Sequence, residues 1–187
     1  MYDNMTTTNI INNIDLDKIQ KTILAGQKDR QSLRKPVRLE GEWNFDHQKG
    51  YQFRTEIAYE NGKQVIEIDS PSFLGGGGNR LGPMGYCVAG ITSCFITTFM
   101  TMLAKEDIKL EKLRINAECN INFAKTFDIS DEPITEGINF EIDVGDIHDA
   151  NKTIDRQQLG QLITMAEERC PAIYSMSHII KVNAKLK

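Results

Sequence analysis

The sequence predicts an α+β fold built from antiparallel sheets, and two observations support this. Segments in which apolar and polar residues alternate come in groups, and single segments with helical periodicity separate the groups. Such an order favours α+β architecture over the regular alternation of strand and helix seen in parallel sheets. The predicted order is one helix, three strands, a helix, two strands, a helix and a final strand.

The first predicted helix covers residues 15–25. Apolar residues recur there at helical spacing, namely Leu16, Ile19, Ile23 and Leu24. Gly26 is expected to end the helix, and the polar residues 1–13 are expected to be a frayed start. The apolar stripe must rest on its own domain or on a partner chain. We therefore expect residues 1–30 to form an N-terminal helical extension and residues 31–187 to form a single domain.

Three strands are predicted next, over residues 37–45, 51–59 and 64–69. Their apolar and polar residues alternate, most cleanly in the second strand. Asn61-Gly62 is expected to form the tight turn into the third strand, because both residues can adopt positive φ. The three strands together predict an antiparallel meander.

A loop with four consecutive glycines, Gly75 to Gly78, follows the meander. It can be a flexible connector, or a backbone segment that must pass close to a ligand or a partner chain. No Lys-Ser or Lys-Thr pair follows the glycines at the spacing of a phosphate-binding loop, which excludes that class of site.

The central helix is predicted over residues 84–103, where apolar residues recur every three or four positions. No charged side chain occurs from Leu81 to Ala104, so the helix is expected to be buried on all sides. The segment is long enough to span a bilayer. Its Ser and Thr residues and its Gly-Pro start favour a helix inside a domain or at a dimer interface.

The last third of the chain predicts two strands, a helix and a final strand. Residues 113–123 alternate strictly, and residues 138–144 are the expected antiparallel partner. Residues 155–169 carry a helical stripe that ends at Cys170-Pro171. Residues 180–186 alternate again and predict the last strand.

Composition and charge narrow the functional class. The chain has 187 residues and a formal net charge of −4, and it lacks a run of Lys or Arg. These features exclude binding to nucleic acid or to a lipid surface through basic residues. The first residues lack the pattern of a secretory signal, so a cytoplasmic location and free thiols are expected.

The four cysteines are therefore treated as thiols. Cys119 lies on the apolar side of its predicted strand and is expected to be a small core residue. Cys87 and Cys94 are two helical turns apart, about 10 Å along the axis, and cannot pair directly. The three histidines, His47, His148 and His178, show no zinc spacing, so no metal site is expected.

Cys94 and Cys170 lie in segments that resemble a known family. The segment Gly75 to Cys94, with its glycines, Gly82-Pro83 and Ser93-Cys94, is followed far downstream by Arg169-Cys170-Pro171. This pattern resembles the OsmC/Ohr family (osmotically inducible protein C and organic hydroperoxide resistance protein). The order of the elements agrees from about residue 37 to residue 186.

The resemblance implies an OsmC-like fold in which antiparallel sheets surround a central helix, and an intertwined homodimer. It implies that Cys94 is the peroxidatic thiol, which organic hydroperoxides oxidise to a sulfenic acid, and that Cys170 forms a disulfide with it. A dithiol reductant, often lipoyl-linked, would restore both thiols. The resemblance implies no metal and no other cofactor.

Two positions depart from the family pattern. Met84 stands where active members usually have a Glu, and the usual supporting Arg is missing near residues 72–74. Arg80 is the nearest cation in sequence that could support the Cys94 thiolate, with Arg38 and Arg54 as weaker candidates. A catalytically weak or inactive protein that binds an apolar small molecule at the dimer interface is the alternative function.

Overall fold

A computed structural model describes residues 9–145 and 155–186. The chain divides into two compact units, whose boundaries fall inside two helices. Residues 25–89 form the meander unit. The described parts of Met1–Leu24 and Gly90–Lys187 form the core unit. The predicted boundary after residue 30 stays a prediction.

The core unit starts with a small hairpin that the sequence did not reveal. Strands β1 (Ile10–Ile11) and β2 (Ile14–Asp15) pair antiparallel across Asn12 and Asn13, whose φ angles are +51° and +65°. Asn tolerates this left-handed conformation better than most residues. The Asn12 side chain donates to the Ile108 carbonyl at 2.7 Å and accepts from the Leu110 N–H at 3.0 Å. The predicted frayed start is therefore wrong for residues 9–13, and residues 1–8 lie outside the described part.

Helix α1 (Leu16–Lys28) is longer than predicted and runs past Gly26. Gly26 is buried, and a Cβ added there would lie 2.5 Å from Cδ1 of Leu33. The glycine thus allows Leu33 to pack closely on the helix and does not end it. Two residues of the predicted apolar stripe, Ile23 and Leu24, are exposed.

The meander unit contains strands β3 (Glu40–Trp43), β4 (Phe53–Tyr59) and β5 (Gly62–Ile68) in the order β3-β4-β5. Both pairings are antiparallel, which confirms the predicted meander. Tyr59 pairs with Gly62, so the turn residues are Glu60 and Asn61, one position before the predicted Asn61-Gly62 turn. Strand β3 is shorter than the predicted 37–45 segment.

The remaining elements are α2 (Pro83–Lys105), β6 (Leu113–Glu118), β7 (Asn139–Val144), α3 (Arg156–Arg169) and α4 (Pro171–Ser177). Strands β6 and β7 pair antiparallel, as predicted. Asp155 caps α3 through a capping box with Gln158. The buried residues of the core unit join α2 to α3, and they include Phe95, Phe99, Leu103, Leu162, Ala166 and Cys170. Phe95 also stacks on Phe140 of β7, with ring centroids 4.9 Å apart.

Helix α2 buries only one side within a single chain. Its buried residues are Phe95, Phe99 and Met102–Ala104, whereas an opposite row of small residues, Ala89, Gly90, Ser93 and Thr97, is exposed. The expectation of burial on all sides is therefore not met by one chain. By length and composition α2 could cross a membrane, but a core helix of a soluble protein has the same properties.

Two parts of the C-terminal prediction are wrong. Helix α4, which the sequence did not reveal, begins directly after Cys170, with Pro171 at its first position. The described residues 178–186 contain no strand. A strand needs a neighbour for its backbone hydrogen bonds, and Ile179, Val182 and Leu186 are almost fully exposed.

Candidate functional site

Helices α2 and α3 bring two cysteines together although 76 positions separate them in the sequence. Cys94 lies at the middle of α2, and Cys170 lies at the junction of α3 and α4. Their Sγ atoms are 3.5 Å apart, with the Cys170 thiol as hydrogen-bond donor. We call Cys94 and Cys170 the thiol pair.

The backbone of Cys170 is fixed by both helices that meet there. Its N–H donates to the Ala166 carbonyl at 2.9 Å and so closes α3. Its carbonyl accepts from the Tyr174 N–H at 2.9 Å and so opens α4. Pro171 suits the first position of α4 because that position needs no N–H donor. The second sulfur of the thiol pair is thus held by the geometry of two helix ends.

The two thiols differ in their access to solvent. Cys170 is 0% exposed, whereas Cys94 is only half-buried at the edge of the apolar core. Cys170 belongs to the apolar core cluster, which also contains Phe95, Phe99, Leu162 and Ala166, and Cys94 packs against this cluster. A reagent from solvent therefore reaches Cys94 first, and Cys170 stays enclosed behind it.

The surroundings of Cys94 favour its neutral form. Burial raises the pKa of the Cys94 thiol above its usual value, because a thiolate loses hydration there. The backbone N–H of Ala172, in the first turn of α4, acts in the opposite direction. The neighbouring Cys170 thiol raises the pKa of Cys94 further. Within the core unit, ionisation of Cys94 is therefore held back.

The other two cysteines lie elsewhere. Cys87 is exposed in the first half of α2, and Cys119 follows the end of β6. Cys119 is half-buried and does not belong to the core cluster, and its Sγ lies 3.4 Å from the hydroxyl of Thr135, so the expectation of a core residue is wrong. Strand β6 ends one residue before Cys119, and the predicted continuation to residue 123 does not form.

The conformation and close packing of the loop in the meander unit explain each of the four glycines from Gly75 to Gly78. Gly75 and Gly78 have φ angles of +82° and +67°, which disfavour other residues. A Cβ on Gly76 would lie 1.9 Å from the Ser70 carbonyl oxygen, and one on Gly77 would lie 2.3 Å from Nδ2 of Asn79. The glycines thus allow a tight fold of the loop on itself, while the flexible-connector interpretation stays a prediction.

Arg80 stands at the end of this loop, in the meander unit. Its Nε lies 3.3 Å from Oε2 of Glu67, and its Nη1 donates to the Asn79 carbonyl at 3.0 Å. Of the weaker candidates, Arg54 lies in β4 opposite Glu67, and Arg38 precedes β3. That Arg80 supports Cys94 stays a prediction.

Among the described residues, no group of three or more His, Cys, Asp or Glu side chains could hold a metal ion. His178 stacks on Tyr174 at the end of α4, with ring centroids 3.9 Å apart. His47 opens a short 3₁₀ turn in the meander unit.

Residues 76–185 match the model of the family described as OsmC-like protein, which is more than half of the chain. The chain belongs to the OsmC-like family. The matched segment includes both members of the thiol pair. Among curated proteins, no sequence matches this chain.

Solved structures of OsmC-like proteins share the fold. An OsmC-like protein of unknown function from Vibrio cholerae matches with a TM-score of 0.57 at 18% identity, covering 76% of this chain and 94% of its own. An OsmC-like protein from Mycoplasma pneumoniae matches with a TM-score of 0.52 at 17% identity, covering 78% and 89%. An organic hydroperoxide resistance protein from Legionella pneumophila matches with a TM-score of 0.53 at 15% identity, covering 76% and 89%. The family and the α+β fold predicted from the sequence are thereby confirmed.

Proposed function

We propose that this OsmC-like protein is a thiol-dependent peroxidase that reduces organic hydroperoxides. The 3.5 Å separation of the Cys94 and Cys170 sulfurs is the observation that supports this proposal most directly. Two thiols this close need only a small movement to form a disulfide, whose sulfurs are about 2 Å apart. Cys94 is more exposed than Cys170, so Cys94 is the thiol that meets the hydroperoxide and Cys170 is the thiol that forms the disulfide with it.

In the proposed reaction, the Cys94 thiolate attacks the terminal oxygen of the hydroperoxide. The O–O bond breaks, the alcohol leaves with a proton, and Cys94 becomes a sulfenic acid. The Cys170 sulfur then attacks the Cys94 sulfur, and water leaves as the disulfide forms. A dithiol, lipoyl-linked as the family resemblance implies, reduces the disulfide and is itself oxidised. The chemistry requires no metal and no other cofactor.

The enclosed position of Cys170 supports the second step. A sulfenic acid on Cys94 would form beside a fixed thiol, so the disulfide competes well with further oxidation. The apolar side chains around the pair favour the carbon chain of an organic hydroperoxide over a small polar peroxide.

Ionisation of Cys94 is the step of the proposed reaction that the surroundings of this thiol oppose. The core unit raises the pKa of this thiol, so the reaction needs a cation that stabilises the thiolate. We assign this supporting role to Arg80. An opposite charge within several ångströms typically lowers a thiol pKa by about 1–3 units.

We also propose that the active form is a homodimer in the cytoplasm. The exposed row of small, uncharged residues on α2 is suited to close packing of a second copy. Exposed apolar side chains such as Val37, Phe45 and Val182 would gain burial in the same assembly. Neither nucleic acid nor a membrane is part of the proposal, because the net charge is negative and no basic patch occurs in the sequence.

Thiol loss under hydroperoxide tests the reaction. We expect the wild-type protein to consume cumene or fatty-acid hydroperoxides in the presence of dihydrolipoamide, and Cys94→Ser to abolish this activity. Cys170→Ser should stall after one turnover, with a sulfenic acid that dimedone traps on Cys94. Cys87→Ser is the matched control and should keep full turnover. Activity that survives in Cys94→Ser would sink the proposal.

A ligand-binding protein without turnover is the second candidate. Met84 stands where the family resemblance expects Glu, and it is exposed at the start of α2. In this case native mass spectrometry of the purified dimer should show a co-purified apolar small molecule, and hydroperoxides should leave all four thiols unchanged. A ligand-free dimer that consumes hydroperoxide excludes this candidate.

A further inference from the structure

Two carboxylates stand at the end of strand β5, and the proposed reaction assigns neither of them a role. Glu67 is in the strand and Asp69 follows it, so their side chains share one face of the extended chain. Their environments differ, since Asp69 is 2% exposed and the Glu67 side chain is 32% exposed. Both face the glycine loop that ends at Arg80.

Asp69 holds the backbone of the glycine loop. Its carboxylate accepts from the Asn79 N–H at 2.9 Å and from the Gly77 N–H at 3.1 Å, and the Asn79 side-chain amide lies at 3.5 Å. These hydrogen bonds favour the charged form and lower the pKa of Asp69, with the Asn79 N–H as the largest cause. A buried carboxylate satisfied mainly by loop N–H groups is an anchor for that loop.

The anchor opposes a large entropic cost. Four consecutive glycines lose more conformational freedom on ordering than any other sequence of this length. Without the Asp69 carboxylate, the Gly77 and Asn79 N–H groups lose their common acceptor. The Gly78 N–H bond to the Ser70 carbonyl, at 3.1 Å, would remain as a separate constraint on the loop.

Arg80 is the next residue after this anchored segment. Its guanidinium is held from two sides, by the Asn79 carbonyl and by Glu67. Asp69 therefore sets the position of the Asn79 backbone, and the Asn79 backbone sets one of the two contacts of the guanidinium.

We propose that Asp69 is a positioning residue, which fixes the glycine loop and through it the direction of the Arg80 guanidinium, with Glu67 as the second constraint. The inference rests on the proposed function only where it gives Arg80 a role in the reaction. The anchoring itself is independent of any activity.

Limited trypsin digestion tests the anchoring. Trypsin cleaves the Arg80–Leu81 bond only when the loop can extend, so we expect several-fold faster cleavage in Asp69→Ala than in the wild type. Asp69→Asn keeps one acceptor oxygen and should fall between them. Glu56→Gln, the matched control, makes an acid-to-amide change in the same sheet at a residue paired with Lys63, and should leave the rate unchanged. Equal rates in Asp69→Ala and the wild type would overturn the anchoring.

The pH profile of Cys94 alkylation tests the link to the reaction. Arg80→Ala should move the midpoint upward by about 1 pH unit or more. Asp69→Ala should reproduce this shift, and the double variant should add nothing to it. If Arg80→Ala shifts the midpoint and Asp69→Ala does not, the positioning role is wrong. If Arg80→Ala has no effect, the role of Arg80 in the proposed function fails, while the trypsin result still decides the anchoring.

One further variant keeps the test decisive if Asp69→Ala fails to fold. Gly77→Ala would place its Cβ 3.1 Å from Oδ2 of Asp69 and 2.3 Å from Nδ2 of Asn79, so it weakens the same anchor from the loop side. It should increase cleavage after Arg80 as well. Protection equal to that of the wild type would again overturn the anchoring.

Discussion

At the scale of single residues, the thiol pair combines features that oppose each other. The apolar wall that suits an organic substrate also removes water from Cys94, and burial is the largest cause of its raised pKa. The Ala172 N–H compensates in part, because it stabilises the charged sulfur. Reactivity at neutral pH must therefore come from a group outside this apolar wall, which is why Arg80 matters to the proposal.

The raised pKa gives a prediction with a definite sign. Alkylation by iodoacetamide, measured in a Cys87→Ser, Cys119→Ser, Arg80→Ala background, should accelerate with pH and reach its midpoint above the usual thiol value of about 8.5. A folded-state pKa above the unfolded value also means that the protonated thiol stabilises the folded state. That contribution is complete below the unfolded pKa and is lost as pH rises through the folded pKa.

Replacement of Cys170 tests how much this neighbouring thiol contributes to the raised pKa of Cys94. In Cys170→Ala, one cause that raises the pKa of Cys94 is removed, so the alkylation midpoint should move downward. An upward movement would mean that the Cys170 thiol stabilises the Cys94 thiolate as a hydrogen-bond donor, and that this effect outweighs the one that raises the pKa.

At the scale of elements, helices α2, α3 and α4 meet at the thiol pair. Cys170 lies where α3 ends and α4 begins, and Cys94 belongs to the helix that forms one wall of the core. A disulfide between them would connect all three helices. It would also close a long loop, because 76 positions separate the two residues.

The oxidised protein should be more stable than the reduced protein. The entropy of closing a loop of this length predicts an increase in the free energy of unfolding of about 4 kcal/mol, if the disulfide introduces no strain. Urea denaturation with and without a dithiol reductant measures this difference. Cys170→Ser should abolish it, whereas Cys87→Ser should not. An oxidised wild-type protein that unfolds at the same or lower urea concentration would show that the pair cannot close without distortion.

The elements that the sequence predicted best are those with long, regular periodicity. Helix α2, the β6–β7 pair and helix α3 follow from local patterns alone, because one side of each packs against the core. The β1–β2 hairpin and helix α4 were missed. The hairpin depends on hydrogen bonds between Asn12 and residues 108–110. The local spacing of apolar residues does not predict such a long-range contact.

The candidate site was predictable only in part, for the same reason. Cys94 and Cys170 were identified through family resemblance. Their spacing in the sequence alone does not predict that their sulfurs lie 3.5 Å apart. Asp69 and Glu67 were missed, although two acids that alternate at a strand end share one face. Their partners lie in the glycine loop, so only the folded chain shows what they hold.

At the scale of the whole molecule, a single chain leaves too much apolar surface exposed. Helix α2 has no charged side chain before Lys105, yet its row of small residues is exposed. The alternating segment 180–186 has no strand partner in the described part of the chain. Both features are explained if a second copy supplies the missing contacts, as the proposed homodimer requires.

Two exposed helical glycines allow this assembly to be tested by a matched pair of variants. Gly90 of α2 and Gly160 of α3 both lie in open space, since an added Cβ would meet nothing within 4 Å in the chain. Ala is favoured over Gly inside a helix by about 1 kcal/mol, so both replacements should stabilise an isolated chain. Gly160→Ala should indeed raise the free energy of unfolding without changing the assembly.

Gly90→Ala should behave differently, because the proposed interface packs a second copy against the small residues of α2. We expect a weaker dimer, seen as a shift toward monomer in analytical ultracentrifugation, and stability that depends more strongly on protein concentration. If Gly90→Ala stabilises the protein as Gly160→Ala does and leaves the sedimentation profile unchanged, the second copy does not pack at this row. The exposed side of α2 would then need another partner.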